Sequence, residues 1–248
     1  MSRWFAKVAI GLALAILSTA CVGGADPQAG DAELETSSEP SLSVERPSAD
    51  AVSGSIVRIV ALGCGAPAIG TGFAVESNLI VTNAHIVSGR DPDSLAVEQL
   101  DGTEFSARLV GLDPDRDLAA LVVDDAAFEP LNLVTEVPLV DGVAIGIRPL
   151  SEENEINEVE FSVDAPVRVN WDGIYRDTES TFRGIRIDAE IERGDSGSPL
   201  LINNRDVIGL IQSTTRNQPR GYAVRSSEIL SFVSDVDPAV GVVADRCT

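Results

Sequence analysis

Three stretches of this sequence hold residues whose types could act together in nucleophilic catalysis. "GDSGSP", residues 194–199, brackets Ser196 with two glycines. "LIVTNAHIV", residues 79–87, contains His85, the only histidine in 248 residues. "LVGLDPDRDLAALVVDD", residues 109–125, offers Asp113, Asp115, Asp117, Asp124 and Asp125. Taken singly, each has a plainer meaning: a polar turn, an imidazole at a half-buried strand end, a charged loop. Their coincidence is what suggests chemistry. A serine hydroxyl is a weak nucleophile until a base takes its proton, and imidazole is the usual base. If Ser196 is a nucleophile, His85 has to be that base. Glycines at 194 and 197 permit a sharp turn in which the amides of Gly194 and Ser196 face one point beside the Ser196 hydroxyl. Two such donors stabilise the oxyanion of a tetrahedral intermediate.

A carboxylate on the second imidazole nitrogen completes such a set. Asp113 and Asp115 flank Pro114 in what reads as an exposed turn. Asp117 directly precedes the apolar run Leu118–Val123, at a buried strand start where a desolvated carboxylate could orient His85. Asp117 is therefore the expected third member, with Asp113 the next choice. Chain order narrows the scaffold. An α/β-hydrolase runs Ser, acid, His and uses G-x-S-x-G. Here His precedes Ser, no His follows it, and Ser198 stands where the last glycine belongs. That scaffold is excluded.

The elements that must position these residues are short and apolar. From about residue 53, runs rich in Val, Ile and Leu recur between turn signals: "SIVRIVAL", "TGFAVE", "LIVTNAHIV", "SLAVEQL", "EFSARLVGL" and "LAALVV". After "AAFEPLNLVTEVP" a second set follows, from "DGVAIGI" through "VEFSVDAPVRVN", "TFRGIRID", "SPLLI" and "DVIGLIQS" to "GYAVRS". Asp101-Gly102, Asp172-Gly173 and Asn203-Asn204 are expected turns. Two batches of about six strands without intervening helices suggest two antiparallel barrels, although pattern alone does not separate barrels from a sandwich. The one expected helix runs from about Ser226 to Val236.

The N-terminus has its own logic. Arg3 and Lys7 precede an apolar run over residues 8–17, too short to span a bilayer, and then "STAC". Residues 1–21 read as an export signal, so the remainder is expected outside the cytoplasm. Cys21 at the cleavage zone resembles the lipid-accepting cysteine of a bacterial lipoprotein signal, although Ser18 stands where Leu is usual; simple cleavage near Ala20 is the alternative. Seven carboxylates against one arginine over residues 22–50, with hardly any large apolar side chain, describe a segment that cannot bury enough surface to order itself. The expected domains are thus a signal (1–21), a disordered acidic linker (22–52) and one folded domain (53–248). A formal charge of −21 disfavours nucleic acid as partner. One His and three scattered Cys offer no metal ligand set, and no cofactor is expected.

"GTGFAVESNLIVTNAHIV", "DRDLAALVV" and "GDSGSPLL", in that order, resemble the chymotrypsin-like serine proteases, above all the HtrA-type and MarP-type bacterial envelope enzymes. The resemblance covers residues 53–248 and implies an all-β fold of two six-stranded antiparallel barrels. It places His85 and Asp117 on the first barrel and Ser196 on the second, and implies an endopeptidase acting on proteins or peptides. The alternative is a protease-like binding or scaffold module without activity. The chain departs from digestive relatives at Gln212, where they carry a serine packed on the catalytic Asp, and it lacks an Ile-Val-Gly-Gly start. Glu190, six residues before Ser196, sits at the offset of the acid that selects Arg or Lys in trypsin-like enzymes; otherwise Glu190 and Glu192 are solvated loop charges. Setting Cys21 aside leaves Cys64 and Cys247, an even pair in an oxidising compartment. MarP-type relatives likewise pin the start of the domain to its end, so a Cys64–Cys247 disulfide is expected.

Overall fold

Strand pairing sorts the chain into two sheets, each of which curls back on itself. The computed structural model describes residues 45–247 except 151–152, 178, 215–218 and 245. The expected signal segment, Cys21 and the linker up to residue 44 lie outside the described residues. The first sheet contains β1 (Ile56–Ala61), β2 (Ala68–Glu76), β3 (Leu79–Thr82), β4 (Ala96–Glu98), β5 (Glu104–Ser106), β6 (Arg108–Asp113) and β7 (Leu118–Val122), in the order β5-β4-β1-β2-β3-β7-β6. A single residue, Ala107, separates β5 from β6, and its amide donates to Leu95 O at 2.9 Å. Residues 104–113 therefore run as one bent strand that pairs β4 at one end and β7 at the other. Counted that way, six strands close a barrel.

The second sheet is built from β8 (Asn132–Leu133), β9 (Asp141–Leu150), β10 (Glu153–Trp171), β11 (Ser180–Asp188), β12 (Pro199–Leu201), β13 (Asp206–Thr214) and β14 (Arg220–Arg225). Its strands follow the order β12-β9-β10-β11-β14-β13-β8, and the extra pairing of β12 with β13 closes a ring of six. β8 joins β13 from outside, in parallel. Two short helical elements matter here: α1 (Ala84–Val87) and α2 (Ser226–Ser234). The all-β architecture, two six-stranded barrels followed by a C-terminal helix, agrees with the expectation from the sequence.

The hydrophobic pattern explains the closure. β7 reads Leu-Ala-Ala-Leu-Val and is buried at every position, as a strand must be when both its faces meet apolar neighbours. One face joins Leu118 and Ala120 to Phe73, Val81, Ile145 and Leu201 in a cluster shared by both barrels. The other joins Ala119 and Leu121 to Ile59, Ile80 and Val97 inside the first barrel. In α2, Ile229 and Phe232 face the core, while Glu228 binds Arg183 at 2.6 Å and Arg116 at 3.3 Å. The helix is thereby fixed to β11 and to the loop that precedes Asp117.

Three features differ from the sequence expectations. β10 is 19 residues long and begins in the Glu/Asn-rich stretch before Val159, where pairing with β9 overrides weak strand propensity. Residues 45–52, expected as linker, pack on the second barrel. Arg46 bonds Glu160 at 2.8 Å, the Ala49 amide donates to Glu158 at 2.9 Å, and Ala49 and Val52 enter the core. The segment preceding His85 is not strand to its end: β3 stops at Thr82, and His85 lies in the single turn of α1.

The disulfide Cys64–Cys247 is present, with Cα atoms 5.9 Å apart and a sequence separation of 183. It holds the C-terminal tail against the first barrel, where the Gly89 amide also donates to Ala244 O at 2.6 Å. Closing so long a loop is worth about 5 kcal/mol in the chain-entropy limit. Cys247→Ser is therefore expected to lower the melting temperature by on the order of 10 °C in a domain of this size. A melting temperature equal to that of the oxidised wild type would show that the bridge carries none of the stability.

Candidate active site

Asp117 is 1% exposed, and a carboxylate so deeply buried must be given partners. It receives them from a single residue. Asp117 Oδ1 accepts the His85 backbone N–H at 2.9 Å, and Oδ2 accepts from His85 Nδ1 at 2.8 Å. The first bond satisfies an amide in the opening turn of α1, so Asp117 caps that turn from the loop that leads into β7. Asn83, at the position before α1, donates its side-chain amide to Asp117 O at 3.0 Å. Asp117 itself has φ 57°, a left-handed conformation that aspartate tolerates better than most residues. The alternatives are engaged elsewhere. Asp113 binds the guanidinium of Arg116 at 2.6 Å, and Asp115 accepts from Ser180 at 2.7 Å.

The His85 side chain remains 35% exposed on its other side. Burial is the largest single influence on its pKa and pulls it down. The Asp117 charge and hydrogen bond together outweigh burial and a smaller opposing effect of Arg90, so the pKa stands above the usual 6.5.

Ser196 lies on the loop between β11 and β12. Gly194 and Gly197 both take left-handed conformations there, at φ 102° and 87°. Around them the amides of Asp195, Gly197 and Ser198 donate to Glu192 O, Ile211 O and Asp195 O. Among the described residues the amides of Gly194 and Ser196 donate to no protein group. Asp195, 1% exposed, is fastened by Asn157 Nδ2 at 2.8 Å and by the Glu192 amide at 2.8 Å. The loop meets the first barrel at Gly70, whose surroundings include both the Ile86 side chain and Ser196 O. In this conformation the Ser196 hydroxyl is not hydrogen-bonded to His85.

Beside His85 and Asp117 opens a depression of about 860 Å³, lined also by Trp171, Ile174, Tyr175 and Gln212. Its wall is held by contacts across the barrels: Trp171 Nε1 donates to Asp115 O at 2.6 Å and Tyr175 Oη to Ser88 Oγ at 3.2 Å. Arg246, beside the disulfide, stacks on the Tyr175 ring at 4.0 Å. Gln212 is 4% exposed, and among the described residues its buried Nε2 has no hydrogen-bond partner. Glu190 does not line this depression. It is exposed, beside Glu158, Glu160 and Glu192, while the Ile191 side chain turns inward against Gly221. Three contributors to the site were not singled out from sequence: Thr71, Asn157 and Tyr175. Only "GTGF", with a polar residue between two glycines in an otherwise apolar strand, marks one of them in advance.

Comparison with known proteins agrees with this geometry. A family model for the trypsin-like peptidase domain matches residues 70–210. The serine protease Rv3671c of Mycobacterium tuberculosis is 27% identical over 215 residues, a match covering 85% of this chain and 53% of that protein. A probable periplasmic serine endoprotease of the DegP-like kind from Bartonella henselae is 37% identical over 148 residues, covering 58% of this chain and 27% of that protein. This chain thus spans about half the length of the first relative and about a quarter of the second. The crystal structure of the active form of the Rv3671c protease matches with a TM-score of 0.74 at 26% identity, covering 84% of this chain and 92% of that one. The inactive form matches at 0.63, over 76% of this chain and 91% of that one. With more than half of its length matched by the family model and its barrels matched by a solved member, the chain belongs to the trypsin-like peptidase family.

Proposed function

We propose that the chain is a serine endopeptidase whose working residues are His85, Asp117 and Ser196. The observation that carries this reading is the buried Asp117 carboxylate on the Nδ1 side of the only imidazole, which fixes the tautomer and leaves Nε2 as base. Ser196 Oγ attacks the scissile carbonyl as His85 Nε2 takes its proton, and the carbonyl oxygen becomes an oxyanion held by the Gly194 and Ser196 amides. Collapse breaks the C–N bond, His85 gives its proton to the leaving amine, and an acyl-enzyme remains. Water then repeats the sequence with His85 again as base, releasing the acid and restoring Ser196.

Labelling by a fluorophosphonate tests the reading directly. Wild type is expected to label and Ser196→Ala not to; a wild-type chain that never labels points to a binding or scaffold module instead. His85→Ala and Ser196→Ala should each abolish cleavage of casein. Asp117→Asn should lower turnover by on the order of ten-thousandfold, because the amide favours the wrong tautomer. Full cleavage by the Ser196→Ala protein is the outcome the mechanism does not survive.

The pH profile follows from the His85 shift. The base works only when neutral, and a raised pKa keeps the ring protonated to higher pH. The acid limb of kcat/KM should therefore have its midpoint above 6.5, and Asp117→Asn should move that midpoint down. A wild-type midpoint below 6.5 contradicts the assigned pair.

Location and specificity belong to the same proposal. The export signal and Cys21 support an enzyme outside the cytoplasm, held to the outer face of a membrane by a lipid pair on Cys21, since two chains anchor stably where one does not. Cys21→Ser should then release the protein from membranes, and a mature chain beginning after residue 21 excludes the anchor. For selection before the cut, the exposed position of Glu190 favours a solvated charge over a recognition residue. A peptide-library profile should be the same for wild type and Glu190→Ala, and loss of Arg or Lys preference in the variant would restore Glu190 as the selecting acid.

A further inference from the structure

The loop carrying Ser196 belongs to the second barrel and the base to the first, so something must fix their relative positions. We propose that Thr71 is a positioning residue that aims the oxyanion amides, and that Thr82 couples it to the strand leading to His85. The inference rests on the serine-peptidase reading above.

Thr71, on β2, is fully buried, and every polar atom it owns is engaged. Its amide donates to Ser196 O at 2.9 Å, and its hydroxyl donates to Gly194 O at 3.0 Å. The same hydroxyl oxygen accepts the Ile147 amide, on β9 of the second barrel, at 2.9 Å. Its carbonyl accepts the Thr82 hydroxyl at 2.6 Å, at the end of β3 and three residues before His85. A hydroxyl has one proton. Once Ile147 donates to the oxygen, that proton is directed at Gly194 O. The two carbonyls held by Thr71 thus belong to Gly194 and Ser196, the residues whose amides have no acceptor among the described residues. Those carbonyls lie in the Gly194–Asp195 and Ser196–Gly197 peptide planes, so the plane between them, which carries the Ser196 amide, is bracketed by two held planes, and the plane carrying the Gly194 amide is held at its Cα from the following side. Turning either amide away then requires breaking bonds buried between the barrels, and an unmade buried bond is costly.

The packing shows how close this clamp is. A Cβ at Gly197 would lie 1.9 Å from Thr71 O and 2.8 Å from the Thr82 hydroxyl. The glycine after the nucleophile is therefore required by the contact with Thr71 as well as by its φ of 87°. Valine at 71 keeps the shape of the side chain, but strands Gly194 O and the Ile147 amide together. Serine keeps the hydroxyl.

Thr71→Val and Thr71→Ser, in the full chain, separate positioning from packing. Each is assayed for kcat and KM on a peptide amide that wild type cleaves, for affinity to a peptide boronic acid that forms a tetrahedral adduct, and for melting. For folded Thr71→Val, kcat is expected to fall by about a hundredfold with KM within about threefold, as for loss of an oxyanion donor. Boronate affinity should weaken in parallel, and Thr71→Ser should stay within about fivefold of wild type. If Thr71→Val does not fold, Thr82→Val removes one bond of the same chain and should cost on the order of tenfold in kcat. Wild-type turnover in a folded Thr71→Val or Thr82→Val overturns the proposal. So does a kcat loss that leaves boronate affinity intact, or Thr71→Ser as impaired as Thr71→Val. Fluorophosphonate labelling of wild type runs beside these assays: an unlabelled wild type defeats the peptidase reading itself, whereas labelling with an indifferent Thr71 defeats the clamp alone.

Discussion

A carboxylate buried to the extent of Asp117 is tolerated only when its charge is met by donors, and here both donors come from His85. Much of the first barrel can be understood as arranging that meeting. β7 begins at Leu118, so Asp117 is the last residue before a strand buried on both faces, and its left-handed backbone turns the carboxylate back toward α1. β3 ends at Thr82, and the following turn presents the His85 amide, which no group within that turn can accept, where the carboxylate arrives. One side chain therefore caps a helix, anchors an imidazole and satisfies itself. Removing it strands two groups of His85, not one.

The second barrel contributes a loop that is held from two directions. Asn157 on β10 and the Glu192 amide fasten Asp195, and Thr71 on the first barrel fastens the residues on either side of it. A buried carboxylate thus sits next to Ser196 as well as next to His85, each satisfied in part by a partner remote in sequence. The sequence lacks an Ile-Val-Gly-Gly start, and the Asn157 contact shows that Asp195 is engaged in this chain by an internal side chain.

Residue chemistry made the candidate side chains legible before any fold was known. His85 stood out because imidazole occurs once, Ser196 because of its flanking glycines, and Asp117 because an apolar run begins directly after it. The barrels were legible from period and turns. What escaped was whatever depends on partners distant in the chain. Thr71 is one hydroxyl in a buried strand, and nothing local says which carbonyls it meets. The Glu/Asn-rich start of β10 has no strand pattern of its own and is made a strand by β9. Residues 45–52 look like a solvated tether by composition, yet Arg46 finds Glu160, and Ala49 and Val52 find the core. Gln212 was noticed only as a departure; its burial against the depression beside His85 needed the fold.

The disulfide has a consequence for any cut in the backbone that it spans. Cys64 and Cys247 enclose all but the beginning of the folded domain, so any single backbone cut between them yields two pieces that remain covalently joined. Both barrels lie inside that loop apart from β1, and β1 is on the same fragment as Cys64. A nicked molecule therefore keeps its mass, and its halves stay at high effective concentration, free to re-pair their strands instead of separating. Damage of this kind becomes visible only after reduction, and intact size is no proof of an intact chain.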